Sequence, residues 1–259
     1  MSRLDDDLSL LREAVQAAGK VALGFFEGTV RHWNKGPDDP VSEADHAVDA
    51  LLRERLGGAR PDYGWLSEET EDDRSRLDRR QVWIVDPIDG TRAFIRGRNQ
   101  FAVCAALVSD GEPALAAVLN PATDELFEAV RGRGAWLNGQ RIHIRQRDEL
   151  AGAHILGGRR ALENHAHGAL PLGLTFETVN SIAYRICLVA CGRYDACISL
   201  NGKSDWDIAA ADLVMTEAGG RITDRQDEPF RYNLPTARHG SVIAAAPGLH
   251  RQIIDLVAD

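Results

Sequence analysis

The sequence predicts an α+β protein of two lobes: an N-terminal helix pair on an antiparallel sheet (residues 1–150), then an α/β lobe (residues 151–259). Three observations carry this. Apolar residues recur at helical spacing over residues 7–27 and again after Val41. From Phe101 to Ile142 short apolar runs alternate with turn formers, which is the pattern of successive hairpins. Beyond residue 150 strand and helix patterns alternate.

Totals narrow the function classes. The 259 residues suffice for one large domain or two fused lobes with a sizeable core. Apolar content of 44% and charged content of 27% are ordinary for a soluble globular chain. The net charge of −9 argues against a nucleic-acid backbone or an anionic membrane as partner, and it suits a site that gathers divalent cations. Met1 to Asp7 holds consecutive aspartates and no basic segment, so it does not read as a signal peptide. No apolar run is long enough to span a bilayer. Cysteines 104, 187, 191 and 197 show no Cys-x-x-Cys spacing and read as reduced, packed thiols, so a cytoplasmic location is expected.

Taken in order, Leu8, Leu11, Val15, Ala18, Ala22 and Phe25 form one helix face that stops at Gly28. Asp5 to Asp7 read as a fraying or capping end. Residues 31–40, with Lys35, Gly36, Pro37 and Pro40, read as a mobile polar loop, with Trp33 as its cover or anchor. Ser42 is an N-cap, Asp45 three residues on completes a capping box, and Gly57-Gly58 ends the helix. Gly64 to Thr70 is a short strand entering an acidic turn, and charged residues 71–80 read as a solvated connection. Hairpin turns follow at Ser109-Asp110-Gly111, Asn120-Pro121, Gly132/Gly134 and Asn138-Gly139. In the second lobe, a strand at 153–156 precedes a polar loop with His165 and His167. Ser181 caps a helix through Cys191, and 195–200 is a strand. Trp206 opens a helix that stops at Gly219-Gly220, and a strand at 241–246 and a helix from Pro247 close the chain.

The chemistry centres on Gln81 to Phe94. The β-branched and aromatic run Val82 to Val85 breaks at Asp86-Pro87-Ile88-Asp89-Gly90-Thr91. Pro87 fixes its own φ and biases Asp86 towards extended backbone. Gly90 can take angles that other residues avoid. The turn would hold Asp86 and Asp89 side by side, where two carboxylates repel unless a cation lies between them. It would also expose the N–H groups of Gly90 and Thr91 beside a helix start, an anion site next to a cation site. A divalent metal beside a phosphate pocket fits this pattern; so does a Pro-Asp-Gly turn whose aspartates only cap it. Glu68-Glu69, Asp45, Asp207 and Lys35 each have an equally plain reading as a solvated turn, caps and a surface lysine.

Trp83-Ile-Val-Asp-Pro-Ile-Asp-Gly-Thr, Ser67-Glu-Glu upstream and Trp206-Asp-Ile-Ala-Ala-Ala-Asp with Glu217-Ala-Gly-Gly downstream resemble the signatures of the inositol monophosphatase family. Val41-Ser-Glu-Ala-Asp is similar to a further N-terminal motif of that family. The likeness runs from about residue 8 to the C-terminus. It implies the layered α-β-α-β-α sandwich of the inositol-phosphatase/fructose-bisphosphatase type and a magnesium-dependent, lithium-sensitive phosphomonoesterase, often a homodimer. It further implies that Glu68, Asp86 and the Ile88 carbonyl hold one Mg2+. Asp86, Asp89 and Asp207 hold a second, and Glu68 with waters a weaker third. Thr91 paired with Asp45 orients the attacking water, and the N–H groups of Gly90 and Thr91 hold phosphate oxygens. The residue types agree: magnesium takes hard oxygen ligands, and the cluster lacks His and Cys, which argues against zinc. Two metals can clamp an in-line displacement.

The substrate end is read more openly. Ser199 falls near the position where inositol phosphatases carry a glutamate, Asp205 is a possible substitute, and Lys203 could hold a second phosphate or be an ordinary loop lysine. Glu228-Pro229-Phe230-Arg231-Tyr232 resembles the 3′(2′),5′-bisphosphate nucleotidase branch. The expected substrate is therefore 3′-phosphoadenosine 5′-phosphate or inositol monophosphate, with histidinol phosphate third. The rival class is a non-catalytic metal- or phosphate-binding protein of the same fold.

Overall fold

A computed structural model of the chain describes residues 3–26, 28–37 and 39–258. Helix α1 (Arg3–Phe26) precedes a hairpin of β1 (His32–Gly36) and β2 (Asp39–Ser42), then α2 (Glu43–Leu52). β3 (Gly64–Ser67) and β4 (Gln81–Asp89) lead to the short α3 (Thr91–Ile95). A meander follows: β5 (Ala102–Ser109), β6 (Glu112–Asn120), β7 (Glu125–Val130), β8 (Gly134–Leu137) and β9 (Gln140–Ile142). The second half begins with β10 (His154–Leu156), α4 (Arg159–His165), β11 (Thr175–Glu177), α5 (Ile182–Ala190) and β12 (Ala196–Ser199). It ends with β13 (Lys203–Ser204), α6 (Asp205–Glu217), β14 (Arg221–Thr223), β15 (Arg238–His239), β16 (Val242–Ala245) and α7 (Pro247–Val257).

Strands β3 to β9 lie in sequence order in one sheet, antiparallel throughout except for the parallel pair β3 and β4 at its edge. The second sheet has the order β11-β10-β12-β16-β14. Period-two alternation sorts the layers. Trp83, Val85, Val103 and Ala105 face α1 and α2, while Val82, Ile84, Cys104 and Ala106 face the opposite way, towards α5 and α6. In the second sheet Leu156, Cys197 and Ala244 share that middle layer, and Ile155, Ile198 and Ile243 pack on α4 and α7. The result is helix, sheet, helix, sheet, helix. Because helices cover both faces of the large sheet, β4 is buried along nearly its whole length and reads as a continuous apolar run. Each fully buried Leu, Ile or Phe contributes about 1.5–3 kcal/mol.

Local departures from the sequence reading fall in a few segments. Residues 32–42 form a hairpin where a loop was expected: Trp33 pairs with Val41 across it and its ring stacks on His46, centroids 5.5 Å apart. Asp38, like residue 27 at the expected end of the first helix, lies outside the described residues. Helix α1 already begins at Arg3, and Asp7 is no fraying end. It is buried and accepts from Arg60 Nε at 2.6 Å and Tyr63 Oη at 2.8 Å. Gly57-Gly58 does not stop the helix that starts at Glu43; a π turn (Arg53–Gly57) carries helical backbone on to Ala59. The 71–80 connection buries Arg76, held by Asp72, by the Asn233 side chain and by the Leu234 carbonyl. His165 ends α4 and does not sit in a loop. No helix among the described residues is long and apolar enough to cross a membrane.

Candidate active site

A bulge at the end of β4 shapes the site. Asp86 pairs with Cys104 but Asp89 pairs with Ala102, so three steps on β4 match two on β5. Residues i and i+3 of a regular strand face opposite sides, and one inserted residue returns Asp89 to the side of Asp86. Pro87 is tolerated there because a bulge needs no ladder N–H from it. Gly90 then turns the chain at φ 100°, where a Cβ would stand 2.7 Å from the Gln100 carbonyl oxygen.

Asp207 joins from the opposite wall as the third residue of α6, where its Oδ2 accepts from the capping Ser204 N at 2.6 Å. One oxygen from each of Asp86, Asp89 and Asp207 falls within 4.8 Å of the others. Each carboxylate commits an oxygen to the protein. Asp86 Oδ1 accepts from Ile88 N at 3.1 Å, and Asp89 Oδ2 accepts from Ser181 Oγ at 2.5 Å and Ala183 N at 2.7 Å. Asp86 Oδ2 is sealed from solvent and meets no donor among the described residues.

Burial dominates the electrostatics. It raises Asp86 well above the ordinary carboxylate range, aided by the charges of Glu68, Asp89 and Asp207. It lifts Asp89 to about 6, with Asp207 adding and Ser181, Ala183 and Arg185 opposing. It raises Asp207 against Ser204 N and the charge of Lys203, and it lifts Glu68 to about 7 against the charge of Lys35. Such a group of carboxyls, with an orphan buried oxygen and oxygen donors only, fits a hard divalent cation.

The other expected residues distribute as follows. Glu68, Ile88, Gly90, Thr91 and Lys203 line one cavity of about 300 Å3 with the three aspartates. Glu68 Oε1 lies 3.2 Å from Lys35 Nζ, which also lies 2.7 Å from Glu69 Oε1. Burial opposes the Lys35 charge, and the two glutamates outweigh it and raise its pKa. Thr91 Oγ1 lies 3.1 Å from Asp45 Oδ1 and 3.0 Å from the Ile88 carbonyl. Asp45 Oδ2 accepts from Ser42 N at 2.8 Å and Ser42 Oγ at 2.6 Å, which holds the carboxylate towards Thr91. The helix after Gly90 is only five residues long, so anion binding at this turn would rest on N–H groups more than on a dipole. Ser199 sits on β12 and is not among the residues lining the cavity. Asp205 is taken up by Asn233 N at 2.8 Å and His239 Nε2 at 2.8 Å.

Sequence reading missed Arg185, Asn180 and Arg92, which also line the cavity. For Arg185 a signal existed: it stands four residues after Ser181, hence on the helix face that Ser181 turns towards Asp89.

Against known proteins, residues 4–259 match the model of the inositol monophosphatase family. An inositol-1-monophosphatase of Rhizobium meliloti is 39% identical over 230 residues, 85% of each chain. A histidinol-phosphatase of Chlorobaculum parvum is 33% identical over 224 residues, covering 84% of this chain and 85% of its own. The extragenic suppressor protein suhB of Bartonella henselae superposes with a TM-score of 0.83 at 28% identity, covering 95% of this chain and 96% of that one. The chain belongs to the inositol monophosphatase family.

Proposed function

We propose that the protein is a magnesium-dependent phosphomonoesterase acting on a small polar metabolite. The observation that carries this reading is the convergence of Asp86, Asp89 and Asp207, with the Asp86 Oδ2 left unpartnered among the described residues. Asp86, Asp89, Asp207, Glu68 and the Ile88 carbonyl would hold the cation. When bound it would supply positive charge to the phosphoryl oxygens and ease deprotonation of water. Gly90 and Thr91 N–H groups would bind phosphate oxygens. The Thr91 hydroxyl, with its proton passed towards Asp45, would orient the attacking water. The water gives a proton to the Thr91 oxygen as the water oxygen forms the new P–O bond, the bond to the ester oxygen breaks, and the leaving alkoxide takes a proton from solvent.

Inositol monophosphate suits the polar cavity walls and the name of the Rhizobium meliloti relative. A second reading, 3′-phosphoadenosine 5′-phosphate, is favoured by Lys203 on the cavity wall. Histidinol phosphate follows from the Chlorobaculum parvum relative. Phosphate release from these three, with Mg2+, with EDTA and with added Li+, tests the reading. Magnesium-dependent release that Asp89→Asn abolishes is expected. No release from any phosphoester at any magnesium concentration would leave a binding protein, and an Asp89→Asn variant with parental rate would remove the metal assignment.

A further inference from the structure

We infer that Arg185 reads a second anionic group on the substrate, so that the phosphoester cleaved carries another phosphate or a carboxylate on its leaving-group side. The inference deepens the phosphomonoesterase reading and rests on it.

Two of the residues that line this cavity each hold a buried polar atom without a partner among the described residues: Asp86 Oδ2, an acceptor, and Arg185 Nε, a donor. A buried donor left unpaired costs about 1–3 kcal/mol, more when charged, so such a group on a cavity wall is poised for a ligand. The orphan oxygen asks for a cation and the orphan N–H asks for an anion. Among the described residues, the Arg185 side chain has one hydrogen bond, from Nη2 to the Asn180 carbonyl at 3.2 Å, and no carboxylate lies within ion-pair distance of it. Other basic side chains differ in this respect: Lys35 is engaged by Glu68 and Glu69, and Arg193 by Glu125.

Position supports the role. Arg185 N bonds to the Ser181 carbonyl at 3.2 Å, one helical turn above the residue that fixes Asp89. Arg185 therefore lines the same cavity as Asp89, from the helix that Ser181 caps. Lys203, on the opposite strand segment before α6, donates to the Gly202 carbonyl at 3.2 Å and to no other group among the described residues. It adds a mobile point charge to the same cavity, whereas the planar guanidinium supplies paired donors that match phosphate or carboxylate. No aromatic side chain among the described residues lines this cavity, so charge, not stacking, is the means of recognition it offers.

The test compares kcat and KM for adenosine 3′,5′-bisphosphate, for 3-phosphoglycerate and for inositol 1-phosphate, in the parent and in Arg185→Gln, Arg185→Lys and Lys203→Gln. The expected result is a preference for a doubly anionic substrate that falls ten- to hundredfold in Arg185→Gln, mainly through KM, and partly recovers in Arg185→Lys. The half-exposed Lys203→Gln should lower the same ratio less while folding as the parent does. The bisphosphate and carboxylate arms separate the two anion types. Equal losses on all three substrates, or a parent that prefers inositol 1-phosphate, would overturn the inference while leaving the phosphatase reading intact. Absence of any phosphate release would instead remove the reading beneath it.

Discussion

Ser181 Oγ donates to Asp89 Oδ2 at 2.5 Å across 92 residues of sequence, and the same hydroxyl accepts from Tyr184 N at 3.0 Å to cap α5. One side chain thus starts a helix of the middle layer and aims a carboxylate of the large sheet. Ser181→Ala should lose both. Partners behind a metal ligand typically matter by 10- to 100-fold in affinity or activity, and an N-cap by about 1 kcal/mol. The magnesium concentration for half-maximal rate should therefore rise at least about tenfold, with a modest fall in urea midpoint. An unchanged magnesium curve alongside the expected fall in stability would mean that the contact is a cap alone.

Gly90 makes a sharper case. Its φ is 100°, and the Gln100 carbonyl oxygen lies 2.7 Å from the place a Cβ would take, so the turn has no room for a side chain. Gly90→Ala should cost about 1–3 kcal/mol of stability and displace Thr91, so urea midpoint and phosphate release should fall together. Gly97, at φ 64° with open space around its Cβ position, is the control. Gly97→Ala should show the smaller backbone penalty, about 1 kcal/mol, with activity retained.

These two residues also mark what could be read from sequence. The turn at Gly90 was legible because proline and glycine act locally, although β4 runs on through Asp89 where a break at Asp86 was expected, and the capping box at Ser42 was legible for the same reason. Arg76 was not: a segment with eight charged residues out of ten looks solvated until Asn233 and Leu234 return from the far end of the chain to bury one of them. The 32–42 hairpin was hidden because Gly36 and Pro37 signal a breaker without saying that the flanks pair, and His46 supplies the surface for Trp33. Arg185 went unremarked on an otherwise apolar helix. Only the contact between Ser181 and Asp89 shows that its face of the helix opens on the acidic cavity.

His250 predicts an acid-labile component of stability. It is buried, with Nε2 3.0 Å from Thr223 Oγ1. Burial and then the charge of Arg221 lower its pKa to about 4, against the pull of Asp227. The folded state therefore favours the neutral ring. Its contribution is complete above the unfolded value near 6.5 and is lost as pH falls towards 4, where the unfolded chain takes up a proton that the folded chain refuses. At about 1.4 kcal/mol per pH unit the window holds roughly 3 kcal/mol. Urea unfolding in EDTA across pH 4 to 7 should show a shallower slope for His250→Gln than for the parent. Parallel slopes would mean that His250 keeps an ordinary pKa.

The last prediction concerns Thr91 and Asp45, whose oxygens stand 3.1 Å apart. If the pair moves one proton, each half is worth little without the other. Thr91→Ala and Asp45→Asn should each lower kcat by about 10²-fold or more with KM nearly unchanged, as expected for a group acting in the transition state. The double variant should be no slower than the slower single one, because groups that act as a unit are not additive. Thr91→Ser keeps the hydroxyl and should retain most of the rate. Asp45 is also the capping-box partner of Ser42, so a structural loss has to be separated. Asp45→Asn keeps its size and one acceptor, and its urea midpoint, measured beside its kcat, reports any damage to the start of α2. Multiplicative losses in the double variant, with both singles stably folded, would show two independent roles and remove the proton path from Thr91 to Asp45.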